Sequence, residues 1–112
     1  MIRFVLPALV LLCATPVAAA SFDCAKARAP DEKAVCANRA LNDADVKLTT
    51  LYDVDGHLMA MGGRGDMQEA QRAWLKRRQA CKSDVKCLTR AYKDRLADLQ
   101  AAFDGIASRG PF

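Results

Sequence analysis

The chain has 112 residues, of which 52% are hydrophobic and 27% charged, with a formal net charge of +4. That length holds one small domain, whose core is marginal and gains from covalent staples. So mild a positive charge favours anionic surfaces slightly and excludes a dedicated nucleic-acid binder.

Residues 1–20 read as a secretory signal. Arg3 supplies a short positive region, Phe4 to Leu12 is apolar apart from Pro7, and Pro16-Val17-Ala18-Ala19-Ala20 offers the small residues a signal peptidase reads. Cleavage after Ala20 is the first expectation and after Ala19 the alternative. The apolar run falls well short of the roughly 20 residues that a spanning helix needs. Cys13 follows Leu12, a large residue where a lipidation signal wants a small one. Losing Arg3 leaves residues 21–112 at +3, and losing Cys13 leaves four of the five cysteines. No later segment is apolar enough to cross a bilayer, so the expected location is periplasmic or secreted.

The expected fold class is all-α: a small three-helix domain at 21–104 with a stapled N-terminal arm and a clamped helix hairpin, then a flexible tail at 105–112. Ser21 to Pro30 is the arm. Pro30-Asp31-Glu32 looks like a helix start, with acids where the helix dipole favours them. Val35, Leu41, Ala44, Leu48 and Leu51 or Tyr52 then recur along a long first helix, Glu32 to about Met59. Gly62-Gly63-Arg64-Gly65 reads as a loop. Asp66-Met67-Gln68-Glu69 reads as a capping box opening a second helix, Met67 to about Cys81. After a turn at Lys82-Ser83, a third helix is expected from Val85 to about Phe103. Its apolar stripe is Val85, Leu88, Tyr92, Leu96, Leu99 and Phe103, with Arg95 at the edge. The short connection makes the last two helices antiparallel neighbours, with the first packed across them.

An even number of cysteines in an exported chain implies disulfides. Cys24, Cys36, Cys81 and Cys87 allow three connectivities. Locality favours Cys24–Cys36, tying the arm to the first helix, with Cys81–Cys87 clamping the hairpin. Each short loop would contribute about 2–3 kcal/mol in the loop-entropy picture. The cysteine spacings do not suit zinc, and His57, the lone histidine, cannot complete a metal site or a triad. Asp53-Val54-Asp55-Gly56 looks like part of a calcium loop, but its frame puts Leu51 first and Gly62 twelfth, where ligands are needed. No nucleophile–base pair can be assembled, so the reading is a non-enzyme.

The most distinctive stretch is Gln71-Arg72-Ala73-Trp74-Leu75-Lys76-Arg77-Arg78. Trp74 with Arg77 forms either an anchor at a partner surface or the plug of a small core with Arg77 passing over the ring. Arg72, Lys76, Arg77 and Arg78 also make a basic face suited to an anionic envelope polymer.

Ser21-Phe22-Asp23-Cys24, Pro30 to Cys36, Leu48 to Tyr52, Gln71 to Leu75 with Cys81, and Cys87-Leu88 with Tyr92 and Arg95 together resemble the lysozyme inhibitor LprI-like N-terminal family. These are small exported bacterial domains formerly of unknown function. Order and approximate spacing agree over nearly all of 21–103, and the Gly62 to Gly65 segment is the least family-like part. The resemblance implies an all-helical exported domain with no cofactor and no catalytic set. It also implies a lysozyme, or another envelope protein, as partner. Occluding the cleft of a basic enzyme calls for a local acidic patch. Asp53, Asp55 and Asp66, with Glu69, supply one at the junction of the first two helices, beside Arg64 on an insertable glycine loop. The expected partner-binding residues are thus Asp53, Asp55, Arg64, Asp66, Trp74 and Arg77.

Overall fold

The computed structural model describes residues 20–110, so the expected signal segment apart from Ala20, Cys13 included, lies outside the described residues. The arm turns first through a short 3-10 helix, Cys24–Lys26, whose start is capped by the Asp23 side chain accepting the Ala25 N–H at 2.9 Å. Four α-helices follow: α1 (Pro30–Ala37), α2 (Arg39–Leu58), α3 (Met61–Ala80) and α4 (Val85–Ala107). The described residues are all-helical or irregular, as the sequence implies, and both expected disulfides form. Cys24 and Cys36 have Cα atoms 5.8 Å apart, and Cys81 and Cys87 5.5 Å.

The expected first helix is two helices. Asn38 adopts an extended conformation (φ −114°, ψ 115°). Its N–H closes α1 on the Ala34 carbonyl, and its side-chain oxygen accepts the Leu41 N–H at 3.1 Å, opening α2. One residue thus ends one helix and caps the next. The break re-phases the chain, so that Val35 and Leu41, six positions apart, are both buried.

The expected glycine loop is helix as well. The α2–α3 connection is only Met59 and Ala60, and α3 runs through all three glycines. Asp66 is therefore an exposed residue inside α3 and caps nothing. The compensation comes from Arg64, whose Nε donates to the Gly56 carbonyl at 2.7 Å and whose Nη2 reaches that of Met59 at 3.4 Å. The first turn of α3 thereby satisfies carbonyls at the end of α2. A Cβ added at Gly62 or Gly65 would meet nothing within 4 Å. Gly62→Ala and Gly65→Ala are each expected to stabilise the protein by about 0.5–1 kcal/mol, read as a higher urea midpoint. An unchanged or lower midpoint would mean that this turn is not helical in solution.

Asp84 caps α4 by accepting the Cys87 N–H at 3.1 Å. The clamped turn before it carries Lys82 in the left-handed region (φ 52°). α4 does not stop at Phe103 or Gly105. It continues to Ala107 because Ile106 buries itself, leaving the tail expected at 105–112 ordered through its first turn.

α2 and α4 pack along each other over the most extensive contact, α3 lies against α4, and α1 touches both α2 and α3. The core comprises Val35, Leu41, Leu48, Met67, Trp74, Cys81, Leu88, Ala91, Tyr92 and Leu99. Trp74 meets Tyr92 edge to face, ring centroids 5.0 Å apart and planes at 73°. Such a pair contributes about 0.5–1.5 kcal/mol beyond burial.

Candidate functional site

The tight α2–α3 connection brings the last turns of α2 against the first turns of α3. A cleft of about 180 Å³ opens there, lined by Tyr52, Asp53, Gly56 and His57 from α2 and by Arg64, Met67 and Gln68 from α3. Gly56 lets the helices approach, since a Cβ there would stand 3.3 Å from Met67 Cε. His57 Nδ1 lies 2.6 Å from the Asp53 carbonyl, which can only accept, so Nδ1 donates. Asp53 and Arg64, which line this cleft, are exposed, and so is Asp66 on the early part of α3, outside the lining. Leu58 and Met61 add apolar surface at the same end, Met61 being 88% exposed. A concave floor of mixed polarity, the exposed Asp53 carboxylate and a projecting thioether can bind a partner; they hold no nucleophile–base pair.

The other expected site residues go elsewhere. Asp55 is fully buried, because it falls on the inward stripe of α2 four residues after Leu51, and it cannot contribute to a surface patch. Trp74 is only 3% exposed and donates its indole N–H to the Ala91 carbonyl at 2.9 Å. It is a core plug and presents no face to a partner. Arg77 does not pass over it. Arg77 is exposed and pairs with Asp94 at 3.3 Å, whereas Arg78 lies over the Trp74 ring, 5.7 Å from its centroid. The basic face is thereby thinned. Arg78 turns inward, Arg77 is paired, and Arg72 pairs with Glu69, whose carboxyl that hydrogen bond holds below its ordinary value.

The arrangement that sequence reasoning missed is a buried polar cluster drawn from all four helices. Arg78 Nε donates to Asp31 Oδ2 at 2.8 Å, and its Nη1 reaches Tyr92 Oη at 3.4 Å and Asp45 Oδ1 at 3.8 Å. Tyr92 donates to Asp45 Oδ1 at 2.8 Å. Burial, reinforced by Asp45, pushes the Tyr92 phenol far above its ordinary value, so it stays neutral and donates. Burial works against the Arg78 charge, but Tyr92 and the Asp31 hydrogen bond outweigh it, and the guanidinium's net shift is upward.

A second inward group is less well served. Neither Asp55 carboxylate oxygen has a hydrogen-bond partner among the described residues. Arg95, also buried, spends its Nε on Gln71 at 2.9 Å and its Nη2 on the Met67 carbonyl at 3.4 Å. Burial raises the Asp55 pKa, and the attraction of Arg95 only partly opposes it. Between its ordinary value and its raised one, the folded state holds more protons at Asp55 than the unfolded chain does. Stability therefore falls as pH rises through that window, and the whole cost is present above it. Asp55→Asn is expected to raise the melting temperature at neutral pH, with the gain shrinking as pH drops below the ordinary carboxylate range. A gain that does not depend on pH would contradict this account.

No helix among the described residues is long and apolar enough to cross a membrane. A family model described as Lysozyme inhibitor LprI matches residues 24–99. Lipoprotein LprI of Mycobacterium bovis is 32% identical over 97 residues, covering 84% of this chain and 48% of that protein. The protein of the same name from Mycobacterium tuberculosis matches to the same extent. The chain thus spans about half the length of the curated relatives it matches. No solved structure gives a significant match. The match covers both disulfides, all four residues of the cluster around Arg78 and the whole lining of the α2–α3 cleft, and the chain belongs to the LprI lysozyme inhibitor family.

Proposed function

We propose that this chain is an exported envelope protein, periplasmic or secreted, that inhibits a lysozyme-type glycosidase by seating its α2–α3 junction in the enzyme's cleft. The supporting observation is the junction itself. It is the end of the domain where a concave surface, exposed Asp53 and Asp66, Arg64 and the protruding Met61 occur together. Its rigidity also helps, because Arg64 fastens α3 to the end of α2 and little conformational freedom is lost on binding. The exposed carboxylates complement a basic enzyme and speed encounter at low salt. The rival reading, an envelope module that binds an anionic polymer through Arg72, Lys76 and Arg77, is weakened by the Glu69 and Asp94 pairings.

The test is residual muramidase activity of chicken-type and goose-type lysozymes with the purified, oxidised protein added at micromolar excess. Inhibition is expected. Asp53→Lys with Asp66→Lys should weaken it by about tenfold or more, since like charges then face the enzyme, and leave the melting temperature unchanged. Full lytic activity in the presence of the wild-type protein rejects inhibition. Inhibition undiminished in the charge-reversed variant rejects the junction as the surface.

A further inference from the structure

The arm ends in the middle of the domain. The backbone nitrogen of Ser21 donates to Asp45 Oδ2 at 2.6 Å, and Asp45 is 1% exposed. Phe22 packs against the core, with the Arg78 guanidinium 5.5 Å from its ring centroid. The Cys24–Cys36 bond fixes the arm two residues further on. Residue 21 is therefore delivered to the buried cluster and held there.

The charges of that cluster do not balance. α1 brings Asp31, α2 Asp45, α3 Arg78, and α4 the neutral Tyr92. Two carboxylates face one guanidinium, and a buried charge without compensation is among the most costly things a small core can hold. Arg78 is committed to Asp31 by its short hydrogen bond, while it stands 3.8 Å from Asp45 Oδ1. The excess negative charge thus rests on Asp45, whose second oxygen faces Ser21.

We infer that the missing cation is the chain's own α-ammonium group, produced by cleavage between Ala20 and Ser21 and bound by Asp45. Hydrolysis breaks the bond from the Ala20 carbonyl carbon to the Ser21 nitrogen. Water gives its hydroxyl to the carbon and a proton to the nitrogen, and the amine takes a further proton from solvent near neutral pH. The nitrogen already stands within hydrogen-bond distance of the carboxylate, so no rearrangement is needed. Two anions then face two cations. This selects between the cleavage positions that the sequence leaves open: after Ala19 the ammonium would sit one residue away, about 3.8 Å along the chain, and the Ser21 nitrogen would remain a neutral amide. It also makes removal of the signal a stabilising step, so the precursor is the weaker fold.

The test begins with export of the full-length chain and mass determination of its mature N-terminus, expected at Ser21. Thermal unfolding of that product across pH is then compared with the same chain made with Ala20 as its first residue. The Ser21 form should melt about 5 °C higher or more. An amine gaining an anionic partner has a raised folded pKa, so this advantage is complete below the ordinary α-amino value of roughly 7.7–8.0 and is lost as pH rises through the raised one. Tyr92 remains neutral over that range because burial holds its phenol far above its ordinary value. Asp45→Asn should abolish the difference between the two forms. A titration of the Ser21 α-amine in the wild-type protein, followed by its nitrogen chemical shift, should give a pKa above the ordinary value whether or not that variant folds. A mature N-terminus other than Ser21, equal melting temperatures, or an α-amine pKa at or below the ordinary value would overturn the inference.

Discussion

Arg78→Ala is expected to cost about 3–5 kcal/mol, because it strands Asp31 and Asp45 as buried carboxylates without their guanidinium. For a domain whose total stability is of order 5–15 kcal/mol, that brings the folded state close to the unfolding midpoint in water. The measurement is the urea midpoint at neutral pH. Arg78→Lys should fall in between: a point charge can serve one carboxylate but cannot also lie flat between the rings of Phe22 and Trp74. Combining Arg78→Ala with Asp31→Asn should cost clearly less than the two separate losses added together, since the second change removes a charge that the first has orphaned. A loss below about 1 kcal/mol for Arg78→Ala, the range of an exposed pair, would mean that the cluster is open to solvent.

The second large effect belongs to Trp74. Its truncation to alanine empties the centre of the α3–α4 contact and is expected to cost about 3–5 kcal/mol. Trp74→Phe keeps most of the volume but loses the bond to the Ala91 carbonyl, for about 1 kcal/mol. The pair of variants separates the two readings of this residue. A core plug loses stability in both while the little folded protein that remains still binds. A partner anchor would lose affinity with an unchanged urea midpoint, and that outcome would contradict the burial described above.

Much of the architecture was legible because it is written in local rules. The pairing of each cysteine with its neighbour in sequence, Pro30 and its acids at a helix start, and the Asp84 cap all depend on a few adjacent residues. The break at Asn38 also left a trace: Val35 and Leu41 are six apart, a step that one continuous helical face does not accommodate, and Asn is a leading N-cap residue. The helical glycine turn had no such signal. Its propensity argues against it, and the Arg64 contacts that compensate run eight residues back, to Gly56. The buried ions were missed because charged residues were read as solvated. Their positions on the stripes were nonetheless visible: Asp45 stands between Leu41 and Leu48, Asp55 four residues after Leu51, Arg78 four after Trp74, and Arg95 between Tyr92 and Leu99. Which charge meets which could not be read, since Arg78 reaches Asp31 across 47 positions. Of the candidate site residues, Asp53 and Arg64 line one cleft and Asp66 is exposed on the early part of α3, whereas Asp55 and Trp74 are buried and Arg77 pairs with Asp94.

The two disulfides have a consequence for how the protein is made. Cys24 joins Cys36 and Cys81 joins Cys87, so each cysteine bonds to the next one along the described chain, and the two loops neither cross nor enclose one another. A polypeptide entering an oxidising compartment N-terminus first would present its thiols in the order in which they pair. The first bond can close before the third cysteine arrives, and the wrong partners are the distant ones. Such a chain needs an electron acceptor for its thiols, but no catalyst to shuffle mispaired bonds.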